Sequence, residues 1–348
     1  MSTTKRSNRR VSKSHSRCGG NWPVFAGQAQ SAWKPFRDGI SASGLQTFLN
    51  CREQFRIKYC LNLEGPTNYY QHYGNVVHDI LADADDGVPA AGGLMEFVEV
   101  KIADYEEAYA DGSQEFELIM AKAEAVMPHY FDYYRKDDAK KEFRIREEAK
   151  CVLFDSDYLT DRFPLAFTLD GLYAEKKGVK AKTWIEDIKT FSQDRDIEEL
   201  MAANLQFNFY MLGLRLMLGF DASGVVKNRI RNPGQKLNQK ETLQEYVKRV
   251  SEDVAKRPDH YFKRTVSEYS KGEVEEWAAA SLTPMLMELE AWWNGTIPHF
   301  MNPSALNYNS VKSEYADYIL SNGRDKTGLK TGAYWNKYQG LEPCNTKL

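Results

Sequence analysis

Apolar positions recur along this chain with two different periods, and the switches between them divide it into elements. Helical spacing, with apolar residues three and four apart, runs through 45–61, 73–84, 96–110 and 115–135; Asp111-Gly112-Ser113 breaks the last two apart. The spacing then changes. Residues 149–154, 165–175 and 183–190 are short, β-branched and aromatic runs, which predict strands, and Lys176-Lys177-Gly178 supplies the turn between the last two. A helix is expected over 197–218 and a fourth strand over 224–231; helices over 242–255 and 273–294 close the sequence. Three strands, a helix and a strand imply an α/β fold with a central mixed sheet flanked by helices. No run approaches the length of apolar residues that a membrane-crossing helix needs.

Polar residues interrupt this pattern where burial should forbid them. The run Trp184-Ile185-Glu186-Asp187-Ile188-Lys189-Thr190 reads as a buried strand, yet Asp187 and Lys189 sit inside it. Side chains alternate along a strand, so these two share a face while Ile188 turns to the other layer. Asp170 interrupts the apolar segment 165–173 in the same way. On the following helix, Gln206 and Tyr210 are one turn apart on one face. An Asp-x-Lys triplet alone is weak, since a chain of this size holds about one by chance, and a solvated edge-strand pair explains it. Carboxylates buried in apolar strands are different, because they are costly unless a cation or an ion pair compensates them. Two carboxylates and an ammonium group together make a compact site for a divalent cation and a phosphodiester.

Charge adds detail. The 348 residues carry 46 Lys and Arg against 49 Asp and Glu, a net charge of −3, awkward for a protein that binds nucleic acid. The distribution is uneven, however. Residues 1–20 hold Lys5, Arg6, Arg9, Arg10, Lys13 and Arg17 without an acid and almost without apolar residues, which predicts a disordered basic tail. Residues 1–39 together form tail and lead-in. In 225–231 the alternation places Lys227, Arg229 and Arg231 on one side of a strand, an expected phosphate-contacting stripe whose plain alternative is an ordinary exposed face. The acids concentrate in 83–117, read as a solvated helical surface turned away from DNA. The absence of an apolar N-terminal stretch argues against a signal peptide, and five scattered Cys argue against a disulfide framework and for a reducing compartment.

Competing motifs are poor. Gly323 to Thr331 nearly spells a phosphate-binding loop, but Leu329 separates Gly328 from Lys330 and too little chain follows for a nucleotide fold. The six His show no zinc-binding spacing.

Taken in order, these residues resemble the PD-(D/E)xK nuclease superfamily, and within it the RecB-like branch that includes many phage exonucleases. Ser41-x-Ser43 followed by 45–59, with Cys51, is similar to the branch's opening helix. Gly74-x-x-x-His78 is similar to its Gly-x-x-x-His signature, Asp170 to the central acid, Asp187-Ile188-Lys189 to the (D/E)xK element, and Gln206-x-x-x-Tyr210 to its Gln-Tyr motif. The resemblance spans about 40–320 and departs from the pattern at Thr168, where a Gly is frequent. It implies an αβββαβ restriction-endonuclease-like core over about 145–235, helical additions over 45–135 and 242–320, and a C-terminal tail over 321–348. It implies Mg²⁺ or Mn²⁺ held by Asp170, Asp187, the Ile188 carbonyl and His78, with Lys189 as the catalytic cation and Gln206 and Tyr210 as positioning groups; Glu147 or Glu148 is an outer carboxylate that sequence cannot choose between. Some members hold an iron–sulphur cluster with one early and three late Cys. Here Cys18, Cys51, Cys60, Cys151 and Cys344 leave one late thiol, so no cluster is expected. The implied activity is hydrolysis of DNA phosphodiesters, as an exonuclease in phage-type recombination, repair or end processing, in the cytoplasm (a host's, if phage-encoded), with a single-strand annealing or recombination protein as a partner and no membrane. Alternatives are a structure-selective endonuclease or nickase and a catalytically idle nucleic-acid-binding scaffold.

Overall fold

The computed structural model describes residues 31–84, 93–176, 182–193, 204–219, 221–308, 311–332 and 341; the side chains of Glu147 and Glu148 lie outside this set, as do Cys18, Cys344 and the basic tail. Four of the expected strands form: β1 (Lys141–Phe154), β2 (Phe163–Glu175), β3 (Thr183–Phe191) and β4 (Gly224–Arg231). A fifth, β5 (Phe262–Glu268), completes a sheet of order β1-β2-β3-β4-β5. Adjacent strands are antiparallel except β3 and β4, which run parallel. A parallel pair needs a crossover, and here it carries α5 (Leu205–Leu218), numbered after the helices below. Sequence pattern missed β5 because Lys263, Arg264 and Thr265 break its apolar character at the sheet edge, where a strand covers little core.

Helices cover both faces. One layer holds α1 (Ala42–Asn50), α5 and the C-terminal helix α8 (Thr283–Trp293), joined through Leu45, Phe48, Phe207, Leu286 and Trp292 to Leu172, Ile185 and Val225 of the sheet. The other holds α2 (Tyr69–Asp83), α3 (Leu94–Tyr109), α4 (Gln114–Asp138) and α6 (Leu243–Lys256), packed on Ile188 and Ile230. A short α7 (Lys271–Trp277) leads into α8 through a π-helical turn at Ala278–Leu282. The helix expected over 45–61 is interrupted. Cys51 adopts an extended backbone, and the chain resumes as Arg52–Phe55 and a π-turn at Arg56–Cys60. Ser41 caps the first piece, its hydroxyl accepting the Gly44 N–H at 3.1 Å. Within the expected C-terminal tail, Lys330–Thr331 pairs antiparallel with Leu63–Glu64.

Gly213 sets how closely α5 approaches the sheet. A Cβ there would sit 2.5 Å from the Phe167 ring, which is 1% exposed and cannot swing out. Ala normally gains up to about 1 kcal/mol over Gly inside a helix, whereas overpacking a core costs about 1–3 kcal/mol. Gly213→Ala is therefore expected to lower stability, read as a smaller midpoint in urea unfolding; an unchanged or higher midpoint contradicts this packing.

Candidate active site

The site lies where the sheet opens. The β2–β3 ladder pairs only Gly171–Ala174 with Thr183–Glu186, while β3 stays paired to β4 along its whole length. Past Gly171 the two strands separate, and Asp170 and Asp187 are the first residues beyond the last pair. The separation leaves the Ile188 N–H without a ladder partner, and Asp170 Oδ2 accepts it at 2.8 Å. Asp187 is fully buried; its Oδ1 accepts Lys189 Nζ at 2.7 Å, and its Oδ2 has no hydrogen-bond partner among the described residues. Burial pushes the Asp187 carboxyl up and the neighbouring Asp170 charge adds to this, against the pull of Lys189 and His78. Burial alone would lower the Lys189 ammonium, but Asp187 and Asp170 outweigh it and hold its pKa above the ordinary value.

Two helices close on this opening. Gly74 lets α2 lie against β3, where a Cβ would already be 3.3 Å from Thr190 Oγ1, and one turn later His78 Nδ1 is 3.6 Å from Asp170 Oδ1. From the other side, Asn204 caps α5 by accepting the Gln206 and Phe207 N–H groups, so Gln206 stands in the first helical turn. Its amide donates to the Tyr210 hydroxyl. A cleft of about 670 Å³ is lined by Ser41, Ser43, His78, Asp170, Gln206 and Tyr210, among others. The structure thus brings together His78, Asp170, Asp187, Lys189, Gln206 and Tyr210, residues that the sequence separates by more than 100 positions.

The basic stripe differs from its expectation as an outward-facing row. β4 is an inner strand, with β3 and β5 on either side, and this withdraws its side chains from solvent. Arg229 is 2% exposed and lies over the Phe191 ring at 4.2 Å. Arg231, half-buried, covers the same ring and donates to the Ser192 and His260 carbonyls at 3.0 and 2.9 Å. Lys227 is half-buried and lies beside Asp187 in the β3–β4 register, as Arg229 lies beside Lys189. Side chains paired across a ladder share a face, so these cations belong to the same sheet face as the buried carboxylate.

The acidic segment 83–117 has a second side. Its Glu96, Glu99, Asp104, Glu107, Glu115 and Glu117 are exposed, as expected, but the opposite side of α3 turns toward the site, where Tyr105 and Tyr109 line the cleft. Their spacing, one helical turn apart, was the overlooked signal. Asn75 and Asp79 on α2 line the cleft as well.

Two asparaginyl and glutaminyl contacts occupy the place expected for late cluster thiols. Asn302 N–H donates to Cys51 Sγ at 3.4 Å, and Gln54 donates to the Ala305 carbonyl and to Ser313 Oγ at 2.7 and 3.0 Å. Cys51, Cys60 and Cys151 are buried free thiols. The late groups described here are amide, carbonyl and hydroxyl rather than thiolate, the ligand an iron–sulphur cluster takes. Purified protein is expected to be colourless and free of stoichiometric iron, with Cys51→Ser retaining its fold by circular dichroism; several iron atoms per chain contradict this.

A divalent cation fits better. Hard oxygen donors from two carboxylates converge here, one with a buried oxygen that lacks a partner. Among the described residues, no group of three or more His, Cys, Asp or Glu side chains is arranged to hold a metal ion by itself. No described helix is long and apolar enough to cross a membrane.

No curated protein matches the chain. Among solved structures, a Eubacterium rectale protein provisionally named an exonuclease aligns at 10% identity and TM-score 0.43, over 87% of this chain and 97% of that one. The protein SSO0001 aligns at 15% identity and TM-score 0.26, over 61% and 85% respectively. Both likenesses are weak. The match that decides is to the PD-(D/E)XK nuclease superfamily model over residues 39–290, which takes in the opened sheet and both helices that close on it. The chain belongs to the PD-(D/E)XK nuclease superfamily.

Proposed function

We propose that this nuclease is a divalent-metal-dependent deoxyribonuclease of the RecB-like branch that works from DNA ends as an exonuclease. The observation that carries the reading is Asp187 Oδ2, buried and without a partner beside Asp170 and Lys189. Nature seldom leaves a carboxylate oxygen so placed unless something binds it. Asp170, Asp187, the Ile188 carbonyl and His78 are the groups that would hold Mg²⁺ or Mn²⁺. The bound ion would acidify an attacking water and offset charge on the scissile phosphate.

The chain's own residues do the rest. Lys189, kept charged by the two carboxylates, stabilises negative charge building on the phosphate and orients the attacking water. His78 Nδ1 faces Asp170 Oδ1, the oxygen that does not accept the Ile188 N–H. Gln206 and Tyr210, linked to each other and fixed in the first turns of α5, position the strand at the cleft wall. Lys227 and Arg231 supply positive potential along the same sheet face, with Arg229 too deeply buried to touch a phosphate itself. The biological setting proposed is recombination, repair or end processing in the cytoplasm, in company with a single-strand annealing or recombination protein, as in phage systems.

Hydrolysis of linear, closed-circular and end-blocked DNA with Mg²⁺ or Mn²⁺ tests the exonuclease reading. Linear DNA with free ends should be degraded while closed circles survive. Nicking or linearisation of closed circles at a comparable rate would assign an endonuclease instead.

A further inference from the structure

The cleft contains an aromatic feature that the hydrolytic machinery does not use. Tyr105, on α3, is 4% exposed, and its hydroxyl meets His72 Nδ1 at 2.9 Å and is bonded by Asn75. Its ring lies nearly parallel to Phe116, with centroids 6.4 Å apart, and Phe116 is 2% exposed. One turn further along, Tyr109 packs on Tyr105 with centroids 4.6 Å apart and remains 56% exposed. The three rings form an aromatic cluster, with Tyr109 tilted 39° to Tyr105, buried in the helical layer at Phe116 and open at Tyr109. Its open end lines the same cleft as His78 and Asp170. A ring already held on one side loses little freedom when a second flat group covers it.

The rest of the lining narrows the choice of that flat group. Among the described residues lining the cleft there is no Lys or Arg; its charged or chargeable side chains are His78, Asp79 and Asp170, and Ser41, Gln46, Asn75 and Asn204 add uncharged hydrogen-bonding groups. A groove that grips duplex DNA relies on cations against two phosphate backbones. Single-strand sites use cations for the backbone as well; what marks this cleft is amide and hydroxyl groups beside an exposed aromatic ring, which suit the edge and the face of an unstacked base. We infer that Tyr109, backed by Tyr105 and Phe116, is a stacking platform for a nucleobase of single-stranded DNA entering the cleft. This specifies the substrate class of the proposed nuclease and so rests on that reading.

The test uses full-length Asp187→Asn protein, expected not to cut and kept in chelator, titrated with fluorescently labelled single-stranded DNA and with blunt duplex. Adding Tyr109→Ala should weaken single-strand binding about 10-fold, as loss of one base–aromatic stack does, and leave duplex binding unchanged. Tyr109→Phe keeps the ring and should bind as its parent. An abasic position walked along the strand should weaken the parent at one register by a similar factor and leave the Tyr109→Ala protein unaffected there. Equal affinities of parent and Tyr109→Ala for the single strand overturn the platform, as does an abasic effect identical in both. Hydrolysis by the unsubstituted enzyme, measured alongside, separates the two claims. Cleavage without a Tyr109 effect removes the platform alone, whereas the expected binding pattern without cleavage removes the nuclease reading and keeps the platform.

Discussion

Asp187→Asn is expected to lower the rate of DNA hydrolysis by about 10³-fold or more, since a metal-assisted site supplies several kcal/mol and each 1.36 kcal/mol is tenfold. The same change should not unfold the protein. Asn keeps the shape of Asp and an oxygen to accept Lys189 Nζ, now 2.7 Å from Oδ1. It also removes a fully buried charge whose second oxygen has no partner. Because the folded carboxyl titrates above its usual value, ionisation at neutral pH opposes folding, and that penalty grows as pH rises through the raised value. In chelator, the Asn variant should therefore melt no lower than the parent at neutral pH. Loss of both activity and folding would show that Asp187 is a structural ion-pair partner rather than a functional group held at a cost to stability.

The largest expected loss of stability lies on the opposite sheet face. Arg264, on β5, binds Asp138 in bidentate fashion at 2.6 and 3.0 Å, donates to Tyr130 at 2.7 Å and approaches Glu186 within 3.8 Å. Its guanidinium lies 3.6 Å from the Tyr134 ring centroid. Glu186 is 1% exposed, and Lys141 at 3.3 Å is its other cation. Arg264→Leu leaves two carboxylates facing one ammonium in a largely buried setting, and removing one partner from such a network costs about 3–5 kcal/mol. That is a large share of the roughly 5–15 kcal/mol by which domains are stable. Urea unfolding should show it directly, with Lys182→Ala as the contrast. Lys182 meets Glu268 at 2.6 Å, yet both are about half or more exposed (50% and 66%), and such a surface pair is worth at most about 1 kcal/mol. The pH response should differ too. Burial would raise the Asp138 carboxyl, but Arg264 and Lys141 hold it below its usual value. Its contribution is complete above the ordinary carboxylate range and disappears as pH falls through the lowered value. The Arg264→Leu variant should lose that part of the acid dependence. An Arg264 effect no larger than that of Lys182 would contradict the buried network.

How much of this was legible in the sequence follows from what each residue contributes locally. Asp187, Lys189 and Asp170 stood out because they break apolar strands, and Gln206 with Tyr210 because a helix fixes their spacing. In the structure His78, Asp170, Gln206 and Tyr210 line one cleft, and Asp187 and Lys189 lie beside Asp170 where the strands separate. Cys51 could not announce a helix break, since an extended backbone at one residue leaves the apolar period on either side intact. β5 was hidden by Arg264, a charge that reads as loop until Asp138, over 100 residues earlier, is seen beside it. The outward reading of Lys227, Arg229 and Arg231 assumed a strand with one free face. Alternation assigns side chains to faces, but only topology says that β4 lies inside the sheet with Phe191 covering two of the three. Tyr109 was lost for a similar reason: its one-turn spacing from Tyr105 marks a shared side of α3, but only the packing of α3 shows that this side faces the cleft.

The central claim is that Asp170 and Asp187 hold a divalent cation for phosphodiester hydrolysis. Its most direct test is the rate at which pure protein degrades end-labelled linear DNA after exhaustive chelation, and again after stepwise return of Mg²⁺ or Mn²⁺. The expected result is no cleavage in chelator, recovery that saturates with added metal, and no recovery in Asp170→Asn or Asp187→Asn protein. Full cleavage in chelator, or metal-restored cleavage by both Asn variants, would contradict it.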